Sequence, residues 1–340
     1  MGSIPLFVRM RRHTPLDGSR QSDSWSLWAS FGRSFRRCGG RGVCEVSQAH
    51  RTRDTRSMQR TLLAFHAHPD DESSKGAGTV CRYVAEGVRC ILVTATGGEA
   101  GDILNPELLG EDIGTDLKEI REAELATAAA IQGFDEVVLL GYRDSGMPDS
   151  EDNRNPAAFC NQPRDEVLER LVTAVRKHKP DVVLGYDEHE FYPHPDHLRV
   201  HEMSMLLFDA AADPSRFPEA GDPWEIKKMY APTIFTKDRV MSLHEAMIER
   251  TGESPYERWL PMLDDRQKSG RNVTKVDVRG FVEQSRNALR AHRTQIDPNG
   301  PWFQVPTEVV EDVYPWEDFE LLASRVGWEA GEDDLFAGIG

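Results

Sequence analysis

Two short stretches carry residue types suited to chemistry at a metal. FHAHPDDES (65–73) puts His68, Asp70 and Asp71 into four residues directly after an apolar run, and YPHPDH (192–197) adds His194, Asp196 and His197 roughly 120 residues later. A catalytic zinc site typically takes three protein ligands from His, Asp or Glu and leaves a fourth position for water. His68 and Asp71 are three apart, so a tight turn stiffened by Pro69 can aim both inward, and His197, at the start of a following helix, can supply the third ligand. A metal there lowers the pKa of a water from 15.7 to about 7, and Asp70, between two ligands, is placed to take the proton. Tyr192 and His194 are candidate donors to a developing oxyanion, and His194, held protonated by acids such as Asp196, is also a candidate to protonate a leaving amine. Such ligands accept Zn2+ or Fe2+, one ion per chain.

Other readings of these residues are weaker. A lone H-P-D-D could be a turn with an Asx cap, but two motifs that each set His and Asp around a proline after an expected strand argue against it. Alternation along the first strand puts His66 on the face opposite His68, which suits a structural role. TGGEAG (96–101) follows a strand but is not G-x-G-x-x-G, and Ser73 and Ser74 lack a G-x-S-x-G context, so neither dinucleotide binding nor a serine nucleophile is indicated.

The elements that must position these residues alternate between strand and helix. Strands are expected at 59–67, 89–95, 136–140 and 181–186, with helices at about 73–87, 116–132, 165–177 and 195–212; the last has Leu198, Met205, Leu206 and Phe208 as its apolar residues. The loop 141–156 reads as too polar and proline-rich to pack. Further strands at 227–235 and 274–278 and helices at 239–250, 279–294 and 316–326 extend or cap the same sheet. The fold class is α/β: a Rossmann-like, mostly parallel sheet flanked by helices, with a C-terminal extension of mixed strands and helices from about 225. Sites in open α/β sheets form outside the carboxyl ends of the strands, so HAHPDDES, TGGEAGD, YRDSGM and YDEHEFYPHPDH should converge on one crevice.

Net charge is -16, yet residues 1–57 hold eleven Arg, no Lys and four acids, or +7, which leaves -23 for 58–340. An acidic body argues against sequence-independent binding of nucleic acid or an anionic membrane, and no run of about 18 apolar residues offers a membrane span. The leader resembles a transit peptide in composition but is poorly amphipathic; it is read as a disordered extension ahead of a start at Met58. Cys38, Cys44, Cys81, Cys90 and Cys160 are odd in number and form no C-x-x-C pair, which fits a reducing cytoplasm.

At HAHPDDES and HPDH the chain resembles the PIG-L/LmbE-like family of zinc-dependent N-deacetylases and amidases. The resemblance covers nearly all of 58–340, through HAHPDDESSKGA, TGGEAGDILNP, YPHPDH, LRAHRTQIDPN (289–299), WEDFELLASR (316–325) and DLFAGI (334–339). It implies that His68, Asp71 and His197 bind zinc, that Asp70 is the general base, that His194 acts as general acid or oxyanion donor, and that Tyr192 polarises the scissile carbonyl. It further implies that Arg121 and Asp144, with Glu99, hold sugar and inositol hydroxyls of a small-molecule thiol–sugar conjugate. The C-terminal segments and Lys75, which in its ESSKGA context is expected to bind substrate, speak for the branch that cleaves mycothiol S-conjugates to a mercapturic acid and glucosaminyl-inositol, a detoxification of electrophiles. The alternative is the branch that deacetylates N-acetylglucosaminyl-inositol. One departure is His189, Glu190 and Phe191 just before Tyr192, where smaller residues are expected; it bears on the pocket wall. A catalytically silent sugar-binding protein would have lost the base or a ligand, and none of His68, Asp70, Asp71 and His197 is missing.

Overall fold

The computed structural model describes residues 59–110, 116–188, 192–263 and 271–340; the leader 1–57 and His189, Glu190 and Phe191 lie outside them. The strands are β1 (Thr61–His66), β2 (Arg89–Thr96), β3 (Glu136–Tyr142), β4 (Val182–Leu184), β5 (Lys228–Thr233), β6 (Val273–Asp277) and β7 (Trp316–Ser324). They form one sheet in the order β3-β2-β1-β4-β5-β7-β6. The first five are parallel, while β7 runs antiparallel to both β5 and β6.

Helices cover both faces, which is why β1 is buried along its whole length and reads as a continuous apolar run. Leu63 and Phe65 of β1, with Ile91 and Val93 of β2, meet Leu168, Leu171 and Val175 of α4 (Arg164–His178) and Val200, Met203 and Leu207 of α5 (Pro195–Ala210). Leu62, Ala64, Cys90 and Leu92 face the other way. There they pack with α2 (Ala77–Ala85), α3 (Leu117–Gln132), α6 (Lys237–Thr251), α8 (Val282–Ala291) and α9 (Thr307–Val313) through Val80, Leu125, Leu243, Val282 and Val309. Two single-turn helices, α1 (Asp71–Ser74) and α7 (Leu260–Leu263), complete the described α-helices.

β1 to β3 build outward on one side of β1, and the chain then returns to lay β4 and β5 on the other. That reversal opens a crevice between β1 and β4 at their carboxyl ends. The HPDD loop leaves β1 and the HPDH loop follows β4, so both motifs flank this crevice.

Five details depart from expectation. Residues 316–324 are not a helix but strand β7: WEDFELLAS has helix formers, yet its ladders to β5 and β6 and the full burial of Phe319 outweigh local propensity. Residues 307–313 form a helix where none was expected. The helix expected through 73–87 is broken at Gly76, whose φ of 88° disfavours any side-chain-bearing residue. On α5 only Phe208 of the four expected apolar residues is buried: Leu198, Met205 and Leu206 are exposed, while Asp196, His197, Arg199 and Ser204 are buried. Likewise Asp144 and Ser145 of the 141–156 loop are packed inside. Asp196, His197, Arg199 and Asp144 meet polar partners there, whereas the buried Ser204 hydroxyl has none among the described residues. Among the described residues no helix is long and apolar enough to cross a membrane.

Candidate metal centre and active site

The turn after β1 and the first turn of α5 bring three donor atoms together. His68 Nδ1 lies 3.3 Å from His197 Nε2 and 3.5 Å from Asp71 Oδ2, and the latter two are 3.4 Å apart. Ligands about 2.0–2.1 Å from a tetrahedral zinc are separated by about 3.3–3.4 Å, so this triangle has the dimensions of one face of such a site. All three side chains are buried. His194 stands close enough to His68 and His197 to be counted in the same cluster.

The remaining valences of these groups are fixed from behind. His68 Nε2 faces Asp196 Oδ2 at 3.3 Å and Asp144 Oδ1 at 3.5 Å, which assigns the ring proton to Nε2 and leaves the Nδ1 lone pair for a cation. Asp196, fully buried, also accepts the backbone N–H groups of Ser145 (2.9 Å) and Cys160 (3.0 Å). Asp71 Oδ2 accepts the N–H of His68 at 3.0 Å, and its Oδ1 accepts from Lys75 Nζ. Burial disfavours charge on His68, but the carboxylates of Asp144, Asp196 and Asp71 outweigh it and raise its pKa well above 6.5. Burial would likewise raise Asp71, yet Lys75 and His197 hold it well below the usual carboxylate range. A pocket that draws a proton onto a histidine in this way is one where a divalent cation can take the proton's place.

Asp70 is set apart from its neighbours. Its side chain is 27% exposed, against 4% for Asp71 and Asp144 and none for Asp196. Its pKa is raised, chiefly by desolvation, although Arg121 pulls the other way. Its backbone sits at φ 112°, a region costly for any residue but glycine. Two clamps hold it there. Arg121, from α3, donates to Pro69 O (2.5 Å), Gly98 O (2.5 Å) and Asp70 Oδ2 (3.1 Å). Glu72 Oε2 accepts the Asp70 N–H at 3.0 Å.

The glycines of TGGEAG make room for the first clamp. A Cβ at Gly98 would stand 2.3 Å from the Arg121 guanidinium carbon, and one at Gly101 would stand 2.7 Å from Nη1. The loop therefore cradles a guanidinium of the chain itself. Arg121 and Asp144, expected to hold substrate hydroxyls, are both buried, and their polar atoms engage the Pro69–Asp70 turn and His68 respectively. Glu99 accepts the Asp144 N–H with Oε1 at 3.3 Å and keeps Oε2 buried without a hydrogen-bond partner.

His194 is the N-cap of α5 and accepts the Asp196 N–H on Nδ1 at 3.2 Å, so a neutral ring carries its proton on Nε2. Burial and the neighbouring His68 lower its pKa to about 4. This departs from the expectation of a protonated His194: Asp196, expected to hold the charge, directs its carboxylate to His68 instead. Tyr192 is half-exposed at the rim, stacked on His194 with ring centroids 5.9 Å apart. Lys75 is only 11% exposed, and its ammonium lies 5.4 Å above the Tyr186 ring. His66 is buried, bonds Tyr186 Oη through Nδ1 at 3.1 Å and stays outside the triangle.

Sequence reasoning sets Asp196 beside His194 rather than behind His68, and it passes over Glu72, next to Asp71, and Tyr186, at the end of the DVVLGY run. His292 and Gln295, which join the site from beyond α8, carry no local signal other than their place in LRAHRTQIDPN.

Residues 63–208, which hold both motifs, match the PIG-L family model, described as GlcNAc-PI de-N-acetylase. The chain belongs to this family and is a hydrolase acting on an amide. Over 288 residues, 83% of the chain and 98% of the relative, it is 43% identical to the mycothiol S-conjugate amidase of Streptomyces coelicolor. Over 293 residues, 82% of the chain and 98% of the relative, it is 38% identical to the 1D-myo-inositol 2-acetamido-2-deoxy-alpha-D-glucopyranoside deacetylase of Geodermatophilus obscurus. In fold it is similar to the N,N'-diacetylchitobiose deacetylase of Pyrococcus horikoshii, with a TM-score of 0.52 at 21% identity over 78% of this chain and 85% of that one.

Proposed function

We propose that the chain is a zinc-dependent amidase that hydrolyses the amide of mycothiol S-conjugates, releasing a mercapturic acid and glucosaminyl-inositol and so clearing electrophiles captured on the thiol. The triangle of His68 Nδ1, Asp71 Oδ2 and His197 Nε2 carries the metal part of this assignment. Zinc held there, or iron in its stead, supplies Lewis acidity and brings the pKa of a water toward neutrality.

The chain's own residues divide the remaining work. Asp70, more open than the ligand carboxylates and raised in pKa, takes the proton of the attacking water and returns it to the departing glucosamine nitrogen. His194, with its proton on Nε2, and Tyr192 donate to the carbonyl oxygen as it gains charge. The unpartnered Oε2 of Glu99 is an acceptor suited to a sugar hydroxyl. Lys75, in the ESSKGA context, favours the amidase over the deacetylase, and its ammonium, paired with Asp71, stands beside the pocket.

The test compares rates of the zinc-loaded protein on a mycothiol S-conjugate and on N-acetylglucosaminyl-inositol. The amidase assignment expects the conjugate to be preferred, and Lys75→Ala to lower that preference by about 10-fold, roughly 1.4 kcal/mol of discrimination. Preference for the acetyl substrate, or equal losses on both, would return the chain to the deacetylase reading.

A further inference from the structure

The residues that hold Asp70 in its unusual conformation extend beyond the two motifs. Glu72 uses both carboxylate oxygens inside the protein. Oε2 accepts the Asp70 N–H at 3.0 Å, while Oε1 meets His292 Nε2 at 2.6 Å and the Ser73 hydroxyl at 2.6 Å. The side chains of Glu72 and His292 are both wholly buried. Among the described residues His292 Nδ1 has no hydrogen-bond partner, so the ring's one hydrogen bond there is with Glu72. A buried imidazole with a single partner is an expensive way to stabilise a fold; an apolar ring would fill the space without the desolvation. What the imidazole does uniquely is orient the Glu72 carboxylate.

That orientation matters because of what hangs from the other oxygen. Asp70 at φ 112° and ψ -25° begins α1, and its carbonyl accepts the N–H groups of Ser73 and Ser74, both at 3.1 Å. Strain of this kind persists only where surrounding contacts over-determine the conformation. Arg121 restrains the carbonyl of Pro69 and the carboxylate of Asp70; the peptide N–H is restrained by Glu72 alone. The segment after α8 also fastens its surroundings. Thr294 bonds Glu124 of α3 through N (2.9 Å) and Oγ1 (2.7 Å), and Gln295 Nε2 donates to Asp102 O at 3.1 Å.

We propose that Glu72 and His292 are positioning residues for the base: His292, from the C-terminal part of the chain, locks the Glu72 carboxylate, and Glu72 in turn locks the backbone of Asp70 so that its side chain faces the reacting water. This rests on the role given to Asp70 under the proposed function. It makes the segment after α8 a part of the catalytic apparatus, although that segment touches none of the metal-facing atoms.

The experiment uses the full chain loaded with zinc and compares His292→Leu, which cannot donate, with His292→Gln, whose amide nitrogen can occupy the place of Nε2. The expectation for His292→Leu is a kcat lower by about 10- to 100-fold on a mycothiol S-conjugate and on N-acetylglucosaminyl-inositol alike, with KM within about twofold and zinc still bound one to one. His292→Gln should return kcat to within about fivefold of the parent. A crystal structure of His292→Leu should show the Asp70 N–H released from Glu72 and φ moved from its parent value. Where His292→Leu does not fold, His292→Asn, whose amide is too short to reach Glu72, takes its place. An unchanged kcat, equal losses in Leu and Gln variants, a loss matched by loss of zinc, or an Asp70 that stays in place in the crystal structure overturns the proposal. A parent protein that binds zinc but hydrolyses neither amide would instead sink the proposed function, and the crystal structure of the variant then decides the positioning role alone.

Discussion

The two edges of the parallel sheet use charge in opposite ways. At the amino ends, Glu136 at the start of β3 meets Lys177 Nζ at 2.6 Å and Arg89 at 4.0 Å, with side-chain exposures of 38%, 61% and 30%. Exposed pairs of this kind contribute about 0–1 kcal/mol, because water screens them and ordering long side chains opposes them. At the carboxyl ends, His68, Asp71, Asp144, Asp196 and His197 are all below one-tenth exposed and within contact of one another. There each charge depends on the next, and removal of one leaves its partner buried and uncompensated. The same sheet thus carries solvent-tolerant decoration at one edge and an interdependent cluster at the other.

Substitutions can break this contrast, and the largest effect belongs to the carboxyl edge. His197→Ala removes one corner of the donor triangle and should leave the protein without stoichiometric zinc and about 1,000-fold or more slower in amide hydrolysis. Asp70→Ala should slow hydrolysis about 100-fold or more while zinc stays bound, because Asp70 stands outside the triangle. Metal analysis by mass spectrometry beside the rate assay separates the two. If Asp70→Ala lost zinc as His197→Ala does, the division between ligand and base would be wrong.

Asp196→Asn probes the layer behind. The carboxylate orients His68 through Nε2 and gathers the N–H groups of Ser145 and Cys160. Loss of its charge should weaken zinc binding by about 10- to 100-fold, measured by competition with a chelator. Retention of full affinity would mean that Asp144 alone suffices to orient the ring.

How much of this was legible in sequence follows from the range of each interaction. The parallel strands are apolar runs bounded by their own loops, so β1 to β5 could be placed locally, and His68, Asp71 and His197 stand in short motifs after two of them. β7 could not, since its strand state depends on ladders with β5 and β6 that no window around 316–324 contains. The Glu72–His292 contact spans 220 residues, and neither member looks unusual alone. Polar residues on the inner side of α5, and Asp144 in a loop that reads as solvated, become intelligible only once the crevice supplies their partners.

The smallest expected effect lies at the amino edge and tests the contrast from its other side. Lys177→Ala removes the shortest pair there and should change stability by no more than about 0.5 kcal/mol, read as a shift in denaturant midpoint. His178 beside it is the one member of that group with a buried ring, and it accepts from Arg89 Nη2 on Nδ1 at 3.0 Å. Burial lowers its pKa, with Lys177 and Arg89 acting in the same sense and Glu136 against them. As pH falls below about 6.5, the unfolded chain takes up a proton that the folded ring resists, so stability is lost from there down to the folded pKa. His178→Gln abolishes that uptake; the parent's stability relative to the variant should therefore decline between pH 7.5 and pH 5.5. A gap that stays constant would show that Glu136 offsets burial at His178, and one that widens toward acid that Glu136 outweighs it; the amino edge would then share the coupled character assigned to the carboxyl edge.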